Sequence, residues 1–204
     1  IDKRDHRYLF PRDDSGSARW VVDRCLLDGG RPGSADGHEG WIAYEQGGFF
    51  IRRFGAAWLM VRAGPLAHAG GHAHNDQLSF ELNLGGRDIL VDRGTGVYTS
   101  DPEARNRYRS TQAHNVLSIN GAEQNRIPDT LFGMPDETET RVVEYEKNAI
   151  EAAHRGFRSP GRSGMECGRR FEVESEGLRI RDRVDGLRRG DRLTWWLHLA
   201  PGLK

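Results

Sequence analysis

The sequence predicts an all-β protein, an antiparallel β-sandwich, and three observations carry that reading. Short apolar segments recur from residue 48 onward, several of them alternating apolar and polar side chains with the period of a strand. Glycine accounts for 26 of 204 residues, well above the usual ~7%, and supplies many tight turns. No sustained helical period follows residue 48. The length suits one domain, or one domain and an incomplete neighbour.

Taken in order, residues 1–47 read as a linker or the tail of an upstream region, and residues 48–204 as the β-domain. Within the first part, Ala18–Leu27 is expected to form a short helix. Asp28-Gly29-Gly30-Arg31-Pro32-Gly33-Ser34 is a loop. Strands are expected at 49–54 and 57–62, joined through Gly55-Ala56 as a hairpin. The segment 77–84 alternates four apolar with four polar residues, and Gly85-Gly86 turns it into a strand at 87–92. Further strands are expected at 114–120, 139–146, 148–154, 165–175, 178–184 and 192–199.

Charge and composition exclude some classes. Thirty Lys and Arg balance thirty Asp and Glu, which excludes a globally basic nucleic-acid binder while leaving room for a local anion site. No apolar stretch approaches the ~20 residues that span a bilayer. Cys25 and Cys167 form no CxxC motif; they read as two unrelated thiols, with one disulfide between them as the alternative. Arg52-Arg53 and Arg188-Arg189 read as surface charge. The first residues, Ile1-Asp2-Lys3-Arg4, contain no signal-like apolar run, so compartment is unreadable from them.

Polar chemistry concentrates between His68 and Asn115. His68, His72 and His74 lie within seven residues, and in extended backbone His72, His74 and Asp76 would face the same way. His74, Asp92 and His114 are a set of imidazole and carboxylate donors that would suit a zinc ion. Register counting complicates this. Leu84 should pair with Arg87 and Ser79 with Asp92, which leaves His74 roughly 16 Å beyond Asp92 unless 74–78 folds back or bulges. A metal site and a set of satisfied polar histidines both remain open. The loop 93–113 carries Arg93, Arg105, Arg107 and Arg109 beside Tyr98 and Tyr108. Guanidinium forks suit carboxylate or sulfate, and tyrosines can meet sugar rings or donate a proton. The bland alternative is a solvated charged loop balanced by Asp101 and Glu103.

Three stretches in order, GHAHNDQLSFEL (71–82), GGRDILVDRGT (85–95) and YRSTQAHN (108–115), resemble the heparinase II/III-like polysaccharide lyases in their β-sandwich region. The resemblance implies a supersandwich-like fold that normally follows an α/α-toroid, so this chain would be the later portion of a longer enzyme and need that N-terminal toroid as partner. It implies an acidic polysaccharide or oligosaccharide as substrate, cleaved by β-elimination. It also implies one structural Zn²⁺ held by His74, Asp92 and His114. By motif, His72 matches an active-site histidine that meets the substrate carboxylate. Tyr98 is the choice for a catalytic tyrosine, with Tyr108 as runner-up, and Arg93, Arg105, Arg107, Arg109 and Tyr108 are candidate substrate contacts. Asn75, in HAHND, departs from the commoner HAD arrangement. The alternatives are a non-catalytic acidic-carbohydrate-binding domain, an architectural domain, and a metal-dependent hydrolase.

Overall fold

The computed structural model describes residues 7–8, 18–21, 40–66, 70–130, 132–158, 165–174 and 177–203. In chain order its strands are β1 (Arg7–Tyr8), β2 (Ala18–Val21), β3 (Trp41–Tyr44), β4 (Phe49–Phe54), β5 (Ala57–Arg62), β6 (Phe80–Leu84), β7 (Arg87–Leu90), β8 (Leu117–Ile119), β9 (Arg141–Tyr145), β10 (Ala149–His154), β11 (Glu166–Glu174), β12 (Gly177–Asp185) and β13 (Leu193–Trp196). One helix, α1 (Pro102–Tyr108), and a 3-10 turn at Thr111–Ala113 interrupt them. Three antiparallel sheets result: a meander β3-β4-β5-β6-β7, a sheet ordered β2-β12-β11-β10-β9, and a small sheet β1-β13-β8. The architecture is the expected antiparallel sandwich.

Alternation builds the core. In β5 Leu59 and Val61, and in β6 Phe80, Leu82 and Leu84, are buried against Ile150, Ala152, Phe171, Leu178 and Ile180 of the second sheet. Each fully buried side chain of this kind contributes roughly 1.5–3 kcal/mol. The rings of Phe80 and Phe171 meet edge to face at 5.4 Å. A second cluster, with Leu117, Ile119, Leu193 and Trp195, joins the small sheet to Phe157, Met165 and Cys167. Cys167 is a free buried thiol, its pKa pushed by burial up to about 12.

Arg169 and Asp182, neighbours on β11 and β12, form a buried charged pair with complete partners. Arg169 donates from Nε to Asp182 Oδ1 (2.6 Å) and from Nη2 to Asp182 Oδ2 (2.9 Å), while Nη1 reaches Leu78 O (3.0 Å) and Asn115 O (2.9 Å). Trp195 Nε1 donates to the same carboxylate at 2.8 Å. This pair ties the second sheet to the two segments, around Leu78 and Asn115, that carry the histidines.

Three expectations are corrected. Residues 18–21 form a strand paired with β12, not the start of a helix, and 22–34 lie outside the described residues along with Cys25. The helix α1 breaks the expectation of unbroken β structure after residue 48; Asp101 caps it by accepting from Ala104 N (2.8 Å), with a proline in its first turn. Arg52 is buried rather than at the surface, donating to Gly40 O (3.2 Å) and Asn148 Oδ1 (3.1 Å). Among the described residues no helix is long and apolar enough to cross a membrane.

Candidate functional site

The hairpin β6-β7 turns through Gly85 and Gly86 at φ +61° and +79°, values that L side chains rarely adopt, and pairs Leu84 with Arg87 as the sequence suggests. The register then slips between Leu82 and Asn83, so simple pairing does not run on to Asp92. Upstream, the strand stops at Phe80 because Leu78 takes φ +63° and Ser79 N donates to Asp76 O (3.0 Å). The chain therefore turns back at 76–79, the fold-back that a shared His74/Asp92 site requires. His72, His74 and Asp76 do not lie on one extended strand; Ala73 N donates to Gly70 O across a turn. His68 lies outside the described residues.

Asn75 fixes that turned segment. Its amide donates to Glu123 Oε2 (2.8 Å) and Asn125 O (2.9 Å), and its carbonyl accepts from Asn125 N (2.9 Å) and Nδ2 (3.0 Å). Its backbone N–H donates to Arg109 O at 2.9 Å. Glu123 Oε2 also accepts from Thr111 N and Oγ1, both at 2.7 Å. Asn75 is thus a fully satisfied buried anchor. Sequence reading overlooked Glu123 and Asn125, because nothing in local spacing ties 75 to 123–125.

His74, Asp92 and His114 do come together. His114 Nδ1 and Asp92 Oδ2 are 2.5 Å apart, and the rings of His74 and His114 are 5.1 Å apart. Their hydrogen bonding defines a different site from the expected one. Asp92 also accepts from Gly94 N (2.7 Å), and His74 Nε2 sits 3.0 Å from Thr95 Oγ1. The expected zinc on these three residues is overturned: among the described residues no group of three or more His, Cys, Asp or Glu side chains could hold a metal ion. Burial alone would lower His114, but the hydrogen bond and charge of Asp92 outweigh it and hold the imidazole above its ordinary value. Burial would raise Asp92, and His114 overrides it downward. Burial and then the charge of His114 push His74 down to about 4, so it is neutral near pH 7. His114 opens no strand; it closes the 3-10 turn.

His198, from the far end of the chain, joins this group unforeseen. Its backbone N–H donates to Asn115 Oδ1 (2.6 Å) and its ring nitrogen lies 3.0 Å from Gln112 O. Burial, then the charge of Arg93, lowers it to about 4. Asn115 also donates to Phe80 O (2.8 Å) and Val91 O (3.1 Å), drawing three separate segments together.

The arginines divide sharply. Arg93 and Arg107 are exposed, and Arg107 pairs with Glu103 at 2.5 Å. Arg109 is sealed from solvent and donates to the carbonyls of Pro128, Thr130 and Gly133, each at 3.2 Å. Arg105 is 0% exposed, yet among the described residues none of its three guanidinium nitrogens has a hydrogen-bond partner. Its guanidinium carbon lies 5.5 Å from the Tyr98 ring centroid. Tyr108 is half-buried, its ring packed against the backbone of Gly96. His72 is exposed and meets the exposed Tyr98 edge to face at 5.6 Å. The arrangement offers solvent an imidazole and a phenol beside buried positive charge, which can bind an anion and exchange a proton.

In comparisons with known proteins, residues 35–204 match the family described as heparinase II/III-like, C-terminal. A heparin-sulfate lyase of Bacteroides stercoris is 32% identical over 100 residues, an alignment taking in 43% of this chain and 15% of the lyase. Among solved structures, a heparinase III gene product superposes with a TM-score of 0.55 at 21% identity, covering 74% of this chain and 23% of that one. The heparan sulfate lyase HepC from Pedobacter heparinus gives a TM-score of 0.49 at 24% identity over 68% of this chain and 21% of that chain. The chain thus spans only a minor part of the length of the proteins it matches.

Proposed function

We propose, because this chain belongs to the heparinase II/III-like family through its C-terminal region, that it contributes the sandwich half of a site for β-eliminative cleavage of a uronic-acid-containing polysaccharide. The observation that carries the reading is the meeting of His72 and Tyr98, 26 positions apart in sequence, at the surface and beside the buried charge of Arg105. In elimination a base removes the proton at C5, the C5–H electron pair forms the C4=C5 double bond, and the glycosidic oxygen departs from C4 and takes up a proton. The C5 proton is a poor acid while the neighbouring carboxylate is charged, so positive or hydrogen-bonding groups at that carboxylate lower the barrier. His72 serves there. Tyr98 exchanges a proton with the reacting sugar, and Arg93 and Arg107 attract the acidic chain. A toroid region supplies the other half, including the base, and the isolated chain is inactive or nearly so.

The test is a panel of uronate polymers incubated with the chain alone and with the chain joined to an α/α-toroid region, following the ultraviolet absorbance of unsaturated uronate. Activity should require the toroid, and His72→Ala or Tyr98→Phe should lower it by about 10²-fold or more, the scale of a lost acid–base group. Full activity in either variant would remove that residue from the reaction. Saturated products would replace elimination with hydrolysis.

A further inference from the structure

Phe132 lies outside every motif that pointed to function. It is 46% exposed and Tyr98 is 45% exposed. Single exposed apolar side chains are ordinary. Here three rings from three loops gather instead: His72 and Phe132 are 5.9 Å apart edge to face, Tyr98 and Phe132 are 6.5 Å apart, and His72 touches both.

Two devices hold that cluster in place. Arg109 grips the carbonyls of Pro128, Thr130 and Gly133, which bracket Phe132. Gly70, at φ +59°, lies so close to the opposite loop that a Cβ would fall 2.2 Å from Met134 O. The His72 loop and the Phe132 loop are therefore pressed together at a spot where no larger residue fits. Rings ordered in this way yet left exposed form a surface suited to the apolar face of a flat partner. Behind them sits Arg105, buried, its guanidinium without a hydrogen-bond partner among the described residues. A buried charge left unpaired is costly, and its positive potential reaches the surface through a region of low dielectric.

We propose that Phe132 completes, with His72 and Tyr98, a platform on which one pyranose ring of an acidic glycan lies, and that Arg105 beneath Tyr98 gives this platform its preference for a carboxylate-bearing sugar. Arg109 is a positioning residue for Phe132. The proposal rests on the acidic-glycan reading above and adds to it a binding residue and a basis for charge selection.

Calorimetric titration of the chain with a glucuronate-containing oligosaccharide, and with the same oligosaccharide after carboxyl reduction, tests it. Phe132→Ala should weaken binding of both ligands by about tenfold, the loss of one aromatic contact, and Phe132→Trp should restore it. Arg105→Gln should abolish the preference for the acidic ligand while sparing the reduced one, and Arg105→Lys should keep the preference. Circular dichroism of each variant shows whether it is folded; if Arg105→Gln unfolds, Arg105→Lys and the two Phe132 variants still decide. Unchanged affinity in Phe132→Ala, with wild type binding normally, overturns the platform and leaves the glycan reading standing. Wild type binding neither ligand overturns both.

Discussion

Arg169 and Arg105 are equally closed to solvent, at 2% and 0% exposure, and could hardly be more different in surroundings. Arg169, on β11, has every nitrogen bonded and a carboxylate gripping it from the neighbouring strand β12. Arg105, under the loop layer, has a tyrosine ring for company, and its guanidinium makes no hydrogen bond among the described residues. The contrast teaches where this molecule is complete. At Arg169 the sheet interior satisfies a charge internally and gains stability and register from it. The loop layer holds a charge that its own groups leave unanswered, a pattern expected where a site awaits a ligand rather than where a core is being built.

The comparison can be broken most forcefully at Asp182. Asp182→Ala leaves Arg169 buried without its counter-charge and should destabilise the chain by about 3–5 kcal/mol. At this size each kcal/mol lowers Tm by roughly 2–4 °C, so thermal melting resolves the effect; a near-wild-type Tm would mean that the pair does not brace the sheets. Next comes Asn75→Ala, which strips partners from the Asn125 N–H groups and should cost about 2–3 kcal/mol. Faster hydrogen exchange at the Asn125 amide would locate the damage in the loop layer, and unchanged protection there would refute the anchor.

Acid titration sharpens the contrast on a smaller scale. Burial, then the charge of Arg169, pushes His154 down to about 3 from an ordinary 6.5. The unfolded chain therefore binds a proton below about 6.5 that the folded chain refuses until about 3, and stability falls with pH across that window. The raised His114 works in the opposite sense: its share of stability is present below its unfolded value and lost as pH rises through its folded one. Urea melts of wild type and His154→Gln from pH 7 to about 4 should show a shallower acid decline in the variant, and parallel curves would count against a neutral buried His154. The smallest effect is expected at Arg105. Removing an unpaired charge in Arg105→Gln should leave stability within about 1 kcal/mol of wild type or raise it. A loss on the scale of Asp182→Ala would show that Arg105 is bonded after all, and the two arginines would cease to differ.

Much of the sheet framework was readable in the residue pattern. Strands β4 and β5 fall where alternation and Gly55 place them, and Leu84 meets Arg87 across the diglycine turn. The short helix α1 carried a legible signal in Asp101-Pro102, with Glu103 and Arg107 four apart, that the prevailing strand pattern obscured. The site was legible only as a cast of residues. His74, Asp92 and His114 were picked out correctly as neighbours and wrongly as metal ligands, since residue type alone does not say whether an imidazole faces a carboxylate, a hydroxyl or an ion. Phe132, Glu123 and His198 were missed because each reaches the site across tens of residues from a loop with no motif of its own.

Taken alone, the sequence determined the sandwich architecture, the hairpins of its first large sheet and the stretch in which the chemistry lies, because strand periodicity and turn glycines act over a few residues. The tertiary structure decided which arginine is braced and which is left open, that Asn75 is an anchor, that zinc has no ligand set among the described residues, and that three distant rings share one surface. Those outcomes depend on hydrogen bonds and burial between segments up to about a hundred positions apart, such as Arg169 to Leu78, and distances of that kind are set by the packed sheets rather than by any local pattern.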